Sequence, residues 1–125
     1  KRDEVKLQRL ATVVVDSNDA VTLHDLDGKI TAWNHGAEKI YGYSEQEALE
    51  MNIRELMPGD LYEDHMEKIR LISQGASVTP YRTRRMAKNK EVIEIKLTMT
   101  RVVDEDGDIC AIATTERDVN ADLNI

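Results

Sequence analysis

Residues 25–34, DLDGKITAWN, followed at 37–58 by AEKIYGYSEQEALEMNIRELMP, decide how the rest of this 125-residue chain is read. Asp27-Gly28 stands between two alternating runs, 20–26 and 29–33. An Asp-Gly pair suits the positive-φ positions of a type I′ turn, so the pattern predicts a hairpin with a two-residue loop. Pairing Leu26 with Lys29 then sets the faces. Val21, Leu23, Ile30 and Ala32 share one side, and Thr22, His24, Thr31 and Trp33 share the other. By that register Trp33 points away from an interior lined by Leu23 and Ile30, and lies beside His24 on the outer face.

Past Trp33 the signals turn helical. Asn34 caps a short helix with Ala37, Ile40 and Tyr41 as its stripe, and Gly42 ends it. Ser44 and Glu47 have capping-box spacing for a second helix. Asn52 opens a third turn carrying Ile53, Leu56 and Met57, which Pro58 closes. Asp60 with Glu63 offers another box-like start, for a longer helix over 60–74 stopped by Gly75. On that helix Leu61, His65, Met66, Ile69 and Ile72 fall on one side, with Glu63, Asp64, Glu67 and Arg70 opposite.

Working outward, Leu7, Leu10, Ala11 and Val14 have the spacing of one helical face, so residues 2–15 read as an amphipathic helix that 16–19 break. Residues 78–87 read as a strand whose Pro80 belongs at a sheet edge. Residues 91–103 alternate, with Ile93, Ile95, Leu97 and Met99 on one face. Asp106-Gly107 turns the chain into a final strand, 109–117, where alternation puts Cys110, Ile112, Thr114 and Glu116 inward. The order is helix, two strands, short helices, a longer helix, three strands.

Composition narrows the function. The length fits one domain. A net charge of −7 argues against nucleic acid or an anionic membrane as partner. The single cysteine, Cys110, fits a reducing cytoplasmic setting, and no apolar run approaches the ~20 residues that cross a bilayer. A chain opening on Lys1 reads as a fragment with upstream sequence removed. No paired-histidine spacing, Ser-His-Asp set or glycine-rich phosphate loop is present, and Asp64 points away from His65's face, so no catalytic residue is assigned and no enzyme is expected. Arg82, Arg84, Arg85, Lys88 and Lys90 form a basic run that alternation splits, which reads as a solvated edge strand.

This order, with the two stretches quoted above, the basic turn AKNKE at 87–91 and ERDV at 116–119, resembles the PAS family from about residue 16 to 120. The resemblance implies an α+β fold, a five-stranded antiparallel sheet with short helices and one longer helix on one face and a pocket between. The hairpin strands and the 78–87 strand would lie at the two edges. Residues 1–15 would be a flanking helix, 16–120 the domain and 121–125 the start of a linker. Two departures stand out: Asn89-Lys90 where the family usually has Asp-Gly, and Asp118-Val119-Asn120 where it has Asp-Ile-Thr.

In function the resemblance implies a cytoplasmic sensor or signal-relay module of a larger protein: a two-component histidine kinase, a cyclase or phosphodiesterase, or a transcriptional regulator. A homodimer through Leu7, Leu10 and Val14, which cover an outer face holding His24 and Trp33, is expected, with a downstream effector as the other partner. The ligand pocket is expected at His65, Ile69, Ile72, Tyr81, Ile95, Leu97, Ile112, Thr114 and Glu116. His65 also resembles in position the proximal histidine of haem-binding PAS oxygen sensors, which makes haem one alternative. Glu116 falls where flavin-binding relatives place a polar residue, which makes flavin another. Cys110 lacks the helical context of the cysteine that light-sensing relatives use. The expected cofactor is none or an unknown small molecule, with no metal unless His65 carries haem. A ligand-free dimerisation module is a further alternative. Glu38 and Lys88 resemble a structural salt bridge widespread in the family.

Overall fold

The computed structural model describes residues 18–119. The expected N-terminal helix, with Leu7, Leu10 and Val14, lies outside the described residues, as do 120–125. Five strands form one antiparallel sheet: β1 (Ala20–His24), β2 (Ile30–Trp33), β3 (Tyr81–Met86), β4 (Val92–Val103) and β5 (Ile109–Asp118). Their spatial order is β2-β1-β5-β4-β3, so β2 and β3 are the edges and Pro80 stands just before the edge strand β3. The crossover from β2 to β3 carries α1 (His35–Tyr41), α2 (Glu45–Ala48), a 3-10 turn (Ile53–Leu56) and α3 (Leu61–Ser73). This is the expected α+β arrangement.

Local chemistry accounts for the short helices. Asn34 Oδ1 accepts from Ala37 N at 2.9 Å and from Val21 N at 2.8 Å, and its amide donates to Asp19 O at 3.1 Å. One side chain thus caps α1 and ties it to β1. Ser44 with Glu47 and Asn52 with Glu55 both form complete capping boxes. Asp60 does not: it makes no side-chain cap, and α3 begins on backbone bonds from Leu61 N to Pro58 O and Glu63 N to Asp60 O.

The first hairpin departs from its expected form. Gly28 N donates to Asp25 O and Asp25 N to Lys29 O, so the loop has three residues and Gly28, at φ +94°, follows a turn at Leu26-Asp27. Thr22 and Leu23 pair with Trp33 and Ala32 as expected, but His24 faces Ile30, leaving Thr31 as a bulge. The bulge moves Ile30 to the side of His24 and Trp33. That side is the inner one. Trp33 packs with Ala37, Tyr41 and Ile53, and His24 is fully buried, so neither belongs to an outer dimer face. All five residues of β1 are buried, which is why polar alternation there could not tell inside from outside.

A second bulge changes the last strand. Val102 pairs with Ala111 and Val103 with Ile109, so Cys110 is the extra residue. It packs on the outer face with Leu23, Ala111 and Ala113 instead of pointing inward with Ile112. The departure at Asn89-Lys90 keeps a turn: Lys90, at φ +75°, takes the position Gly28 holds in the first hairpin, with the same pair of backbone bonds across 87–91.

The inner face carries two apolar clusters. One gathers Ile30, Trp33, Ala37, Tyr41, Ile53 and Leu56 beneath α1, α2 and the 3-10 turn. The other gathers Ile69, Ile72, Ile95, Leu97, Met99 and Ile112 beneath α3. Each fully buried Ile or Leu contributes about 1.5–3 kcal/mol.

Candidate functional site

Helical period and strand alternation converge beneath α3. The helix turns His65, Ile69 and Ile72 inward; β4 supplies Ile95 and Leu97, and β5 supplies Ile112, Thr114 and Glu116, all buried. Tyr81 packs against the same cluster from β3, half-buried. The nine residues expected to line a pocket therefore share the inner face.

A chain of hydroxyl groups crosses this face. Thr114 Oγ1 donates to Glu116 Oε2 at 2.7 Å, and Thr22 and Thr114 hydroxyls lie 2.6 Å apart. Thr114 has one proton, already given to Glu116, so Thr22 donates to Thr114. Tyr41 donates its hydroxyl to Glu116 Oε1. Both carboxylate oxygens thus have donors, which is what burying such a group requires. Burial, and then the Glu116 charge, push the Tyr41 hydroxyl well above its usual pKa.

Two histidines meet on the other side. His24 Nδ1 lies 2.7 Å from Asp25 O, an acceptor only, so Nδ1 carries the proton. Its Nε2 is then a bare lone pair, and His65 Nε2, 3.0 Å away, must donate to it. His65 Nδ1 is left without a proton and, fully enclosed, without a hydrogen-bond partner. Burial holds both rings neutral. It lowers His24, and with the Arg85 charge as second cause it depresses His65 to about 2.

Arg85 is the residue that sequence reading missed. Arg84 is exposed, as a solvated edge strand requires, but Arg85 alternates inward with Tyr81 and Thr83 and is 1% exposed. Its Nη1 donates to Arg84 O at 3.0 Å, while Nε and Nη2 have no hydrogen-bond partner. Its charge acts on His24, His65, Tyr41 and Tyr81. Burial nonetheless carries Tyr81 up to about 12. The signal was available: alternation already separated Arg85 from Arg84.

The expected Glu38–Lys88 bridge does not form. Lys88 Nζ meets Glu47 Oε2 at 2.6 Å instead. Glu38 accepts from Glu45 N at 2.8 Å and faces His35. The α2 capping box aims Glu47 at the 87–91 turn, and Lys88 N donates to Tyr41 O at 2.8 Å.

A haem on His65 would need space now filled by Ile95, Leu97 and Ile112, each 0% exposed. A flavin would need the same space, polar groups such as Glu116, and a stacking face. Both oxygens of Glu116 are engaged, and Trp33 is held by its Nε1 bond to Tyr43 O at 2.9 Å, against Tyr41. Cys110 lies on the far side of the sheet, its thiol donating to Val102 O.

The order of elements and the crossover helices agree with one family model, that of the PAS fold, which matches residues 8–119. The chain belongs to the PAS family. Among solved structures it is similar to a PAS domain of a protein from Colwellia psychrerythraea, with 25% identity and a TM-score of 0.80, covering 92% of this chain and 98% of that one. A PAS domain from a two-component sensor histidine kinase matches at 15% identity and TM-score 0.73, covering 93% and 98%. A LOV protein of Rhodobacter sphaeroides matches at 19% identity and TM-score 0.78, covering 97% and 70%. No curated protein sequence gives a significant match. No helix among the described residues is long and apolar enough to cross a membrane.

Proposed function

We propose that this PAS domain is a non-catalytic sensor within a larger cytoplasmic signalling protein, and that a small molecule enters between α3 and the sheet. One observation carries the reading: Arg85 Nε and Nη2 and His65 Nδ1 are buried on the inner face without partners. Buried polar atoms in native proteins are paired in roughly 90% of cases or more, and each orphan costs about 1–3 kcal/mol. Orphans on one inner face, near enough for the Arg85 charge to act on His65, are a reason to expect a site for a partner from outside the chain. Its walls are the nine residues named above, with Thr114 and Glu116 held in place by Thr22 and Tyr41. A ligand there changes output only by favouring one arrangement of the segments flanking the sheet. That a PAS domain of a sensor histidine kinase has the same fold supports a kinase as one effector.

The test is native mass spectrometry with absorption spectra on freshly purified protein. A small non-covalent adduct without Soret or flavin bands, held more weakly in His65→Leu while the fold remains, is the expected result. A His65→Leu protein that changes only in stability would make His65 a core histidine and overturn the reading. A second role, homodimerisation through residues 1–15, rests on the helical spacing of Leu7, Leu10 and Val14, since Leu23, Ala111 and Ala113 on the outer face are already buried within the chain. Deleting residues 1–15 should then give a monomer or an aggregating protein, and light scattering that finds an unchanged dimer would sink it.

A further inference from the structure

Within that sensor reading, on which this inference rests, the orphaned atoms define a ligand chemistry. Nε and Nη2 lie along one edge of the guanidinium, and both are unpaired, whereas Nη1 is bonded to Arg84 O. That edge is a planar two-donor fork which matches the two oxygens of a carboxylate. Among the described residues Glu116 is the only fully buried carboxylate, and its oxygens are already bonded to Tyr41 and Thr114. The second anchor has the opposite sense. The relay from Asp25 O through His24 to His65 leaves His65 Nδ1 as a bare acceptor, so it requires a donor from the ligand.

Charge selects among donors. A second cation set beside the unpaired edge of Arg85 is repelled by it, and the Glu116 charge on the same face is already held by Tyr41 and Thr114, so a metal ion or an ammonium group is disfavoured there. A neutral hydroxyl remains. The walls, Ile69, Ile95, Leu97 and Ile112, are aliphatic and buried, so the carbon skeleton that carries the two polar groups is apolar. Phosphate would put more charge against those walls than one guanidinium offsets. A groove of about 480 Å³, lined in part by Leu61, Asp64, Arg84 and Val92, opens between the start of α3 and the β3–β4 edge.

We infer that the site takes a small aliphatic hydroxycarboxylate, its carboxylate on the Nε–Nη2 edge of Arg85 and its hydroxyl donating to His65 Nδ1. The experiment is calorimetry and thermal shift on the full chain. The probes are α-hydroxyisovalerate and β-hydroxybutyrate, their deoxy partners isovalerate and butyrate, the α-hydroxyisovaleramide, and inorganic phosphate. At least one hydroxy acid is expected to bind, its deoxy partner about 10-fold more weakly for one lost hydrogen bond, and the amide and phosphate not at all. His65→Leu should erase the preference for the hydroxyl while keeping carboxylate binding. Arg85→Gln should abolish binding, and Arg85→Lys, which keeps charge without the fork, should weaken it; circular dichroism checks that each variant is folded. Equal binding of the amide or of phosphate would overturn the class. So would failure of every probe at millimolar concentration: if the purified protein still carried an adduct weakened in His65→Leu, the sensor reading would stand alone, and if it carried none, both would fall.

Discussion

Beneath α1 and α2 the sheet meets its helices at close range, while α3 keeps its backbone further from every strand. In the first half the contact is nearly backbone to backbone: a Cβ on Gly36 would stand 2.1 Å from Asp19 O. Polar groups there are paired, with Asn34 making three bonds and the Trp33 indole one. In the second half the contact is through side chains, and a buried guanidinium and a buried imidazole each keep polar atoms without partners. The difference teaches where stability is made and where it is given up. Tight packing and full pairing stabilise one half, whereas unpaired polar atoms in the other lower the stability of the free protein and leave donors and acceptors for something that binds.

The most severe way to probe the contrast is Gly36→Ala. The new methyl meets the carbonyl of Asp19, backbone that cannot swing aside, so α1 must move off β1. The expected loss is about 3 kcal/mol, the upper part of the range for overpacking, read as a fall in the urea midpoint. A loss well under about 1 kcal/mol would mean that this half is as yielding as the other.

Titration probes the second half. An unfolded histidine has a pKa near 6.5, but His65 is held to about 2 and His24 is also lowered, with burial the leading cause for both. Between those values the unfolded chain binds protons that the folded chain refuses, so stability is intact above pH 6.5 and falls as the pH drops through the window below it. The slope for His65 alone is about 1.4 kcal/mol per pH unit, and His24 adds in the same direction. Urea melts between pH 7 and 5 should show this decline, and His65→Leu should remove a large part of it. An unchanged slope in that variant would place the titration elsewhere and leave His65 without a buried neutral role.

How far the sequence revealed this contrast differs between the halves. The α3 side was legible because Ile93, Ile95, Leu97 and Met99 alternate cleanly and His65, Ile69 and Ile72 have helical spacing. The hairpin side was not, because β1 is buried on both faces and Thr31 bulges, so alternation lost its meaning and Trp33 was expected on the wrong side. The site was half legible. His65 and Glu116 stood out as polar residues in apolar company, but Arg85 was hidden among four exposed or half-exposed basic neighbours. His24 was assigned outward because a strand buried on both faces gives no sign of which side is inside, so the imidazole pair had no sequence signal at all. Three-residue turns also defeated a loop-length argument: Asp27-Gly28 suits two turn types, and only the backbone bonds across 25–29 distinguish them.

The smallest effect is expected where the two halves are joined on the surface. Lys88 binds Glu47, with the side chains 52% and 43% exposed, so water and salt screen the pair. Glu47 uses its other oxygen to accept from Ser44 N and close the α2 capping box. Glu47→Gln keeps that second role, since an amide oxygen also accepts, and removes only the charge facing Lys88. The connection that fixes Tyr41 beside Glu116 is the bond from Lys88 N to Tyr41 O, which no side-chain replacement at position 47 touches. Glu47→Gln is therefore expected to leave the urea midpoint within measurement scatter, at low and at high salt alike. A clear loss at low salt that vanishes at high salt would show that the ion pair itself, and not the backbone bond, holds the 87–91 turn against α1.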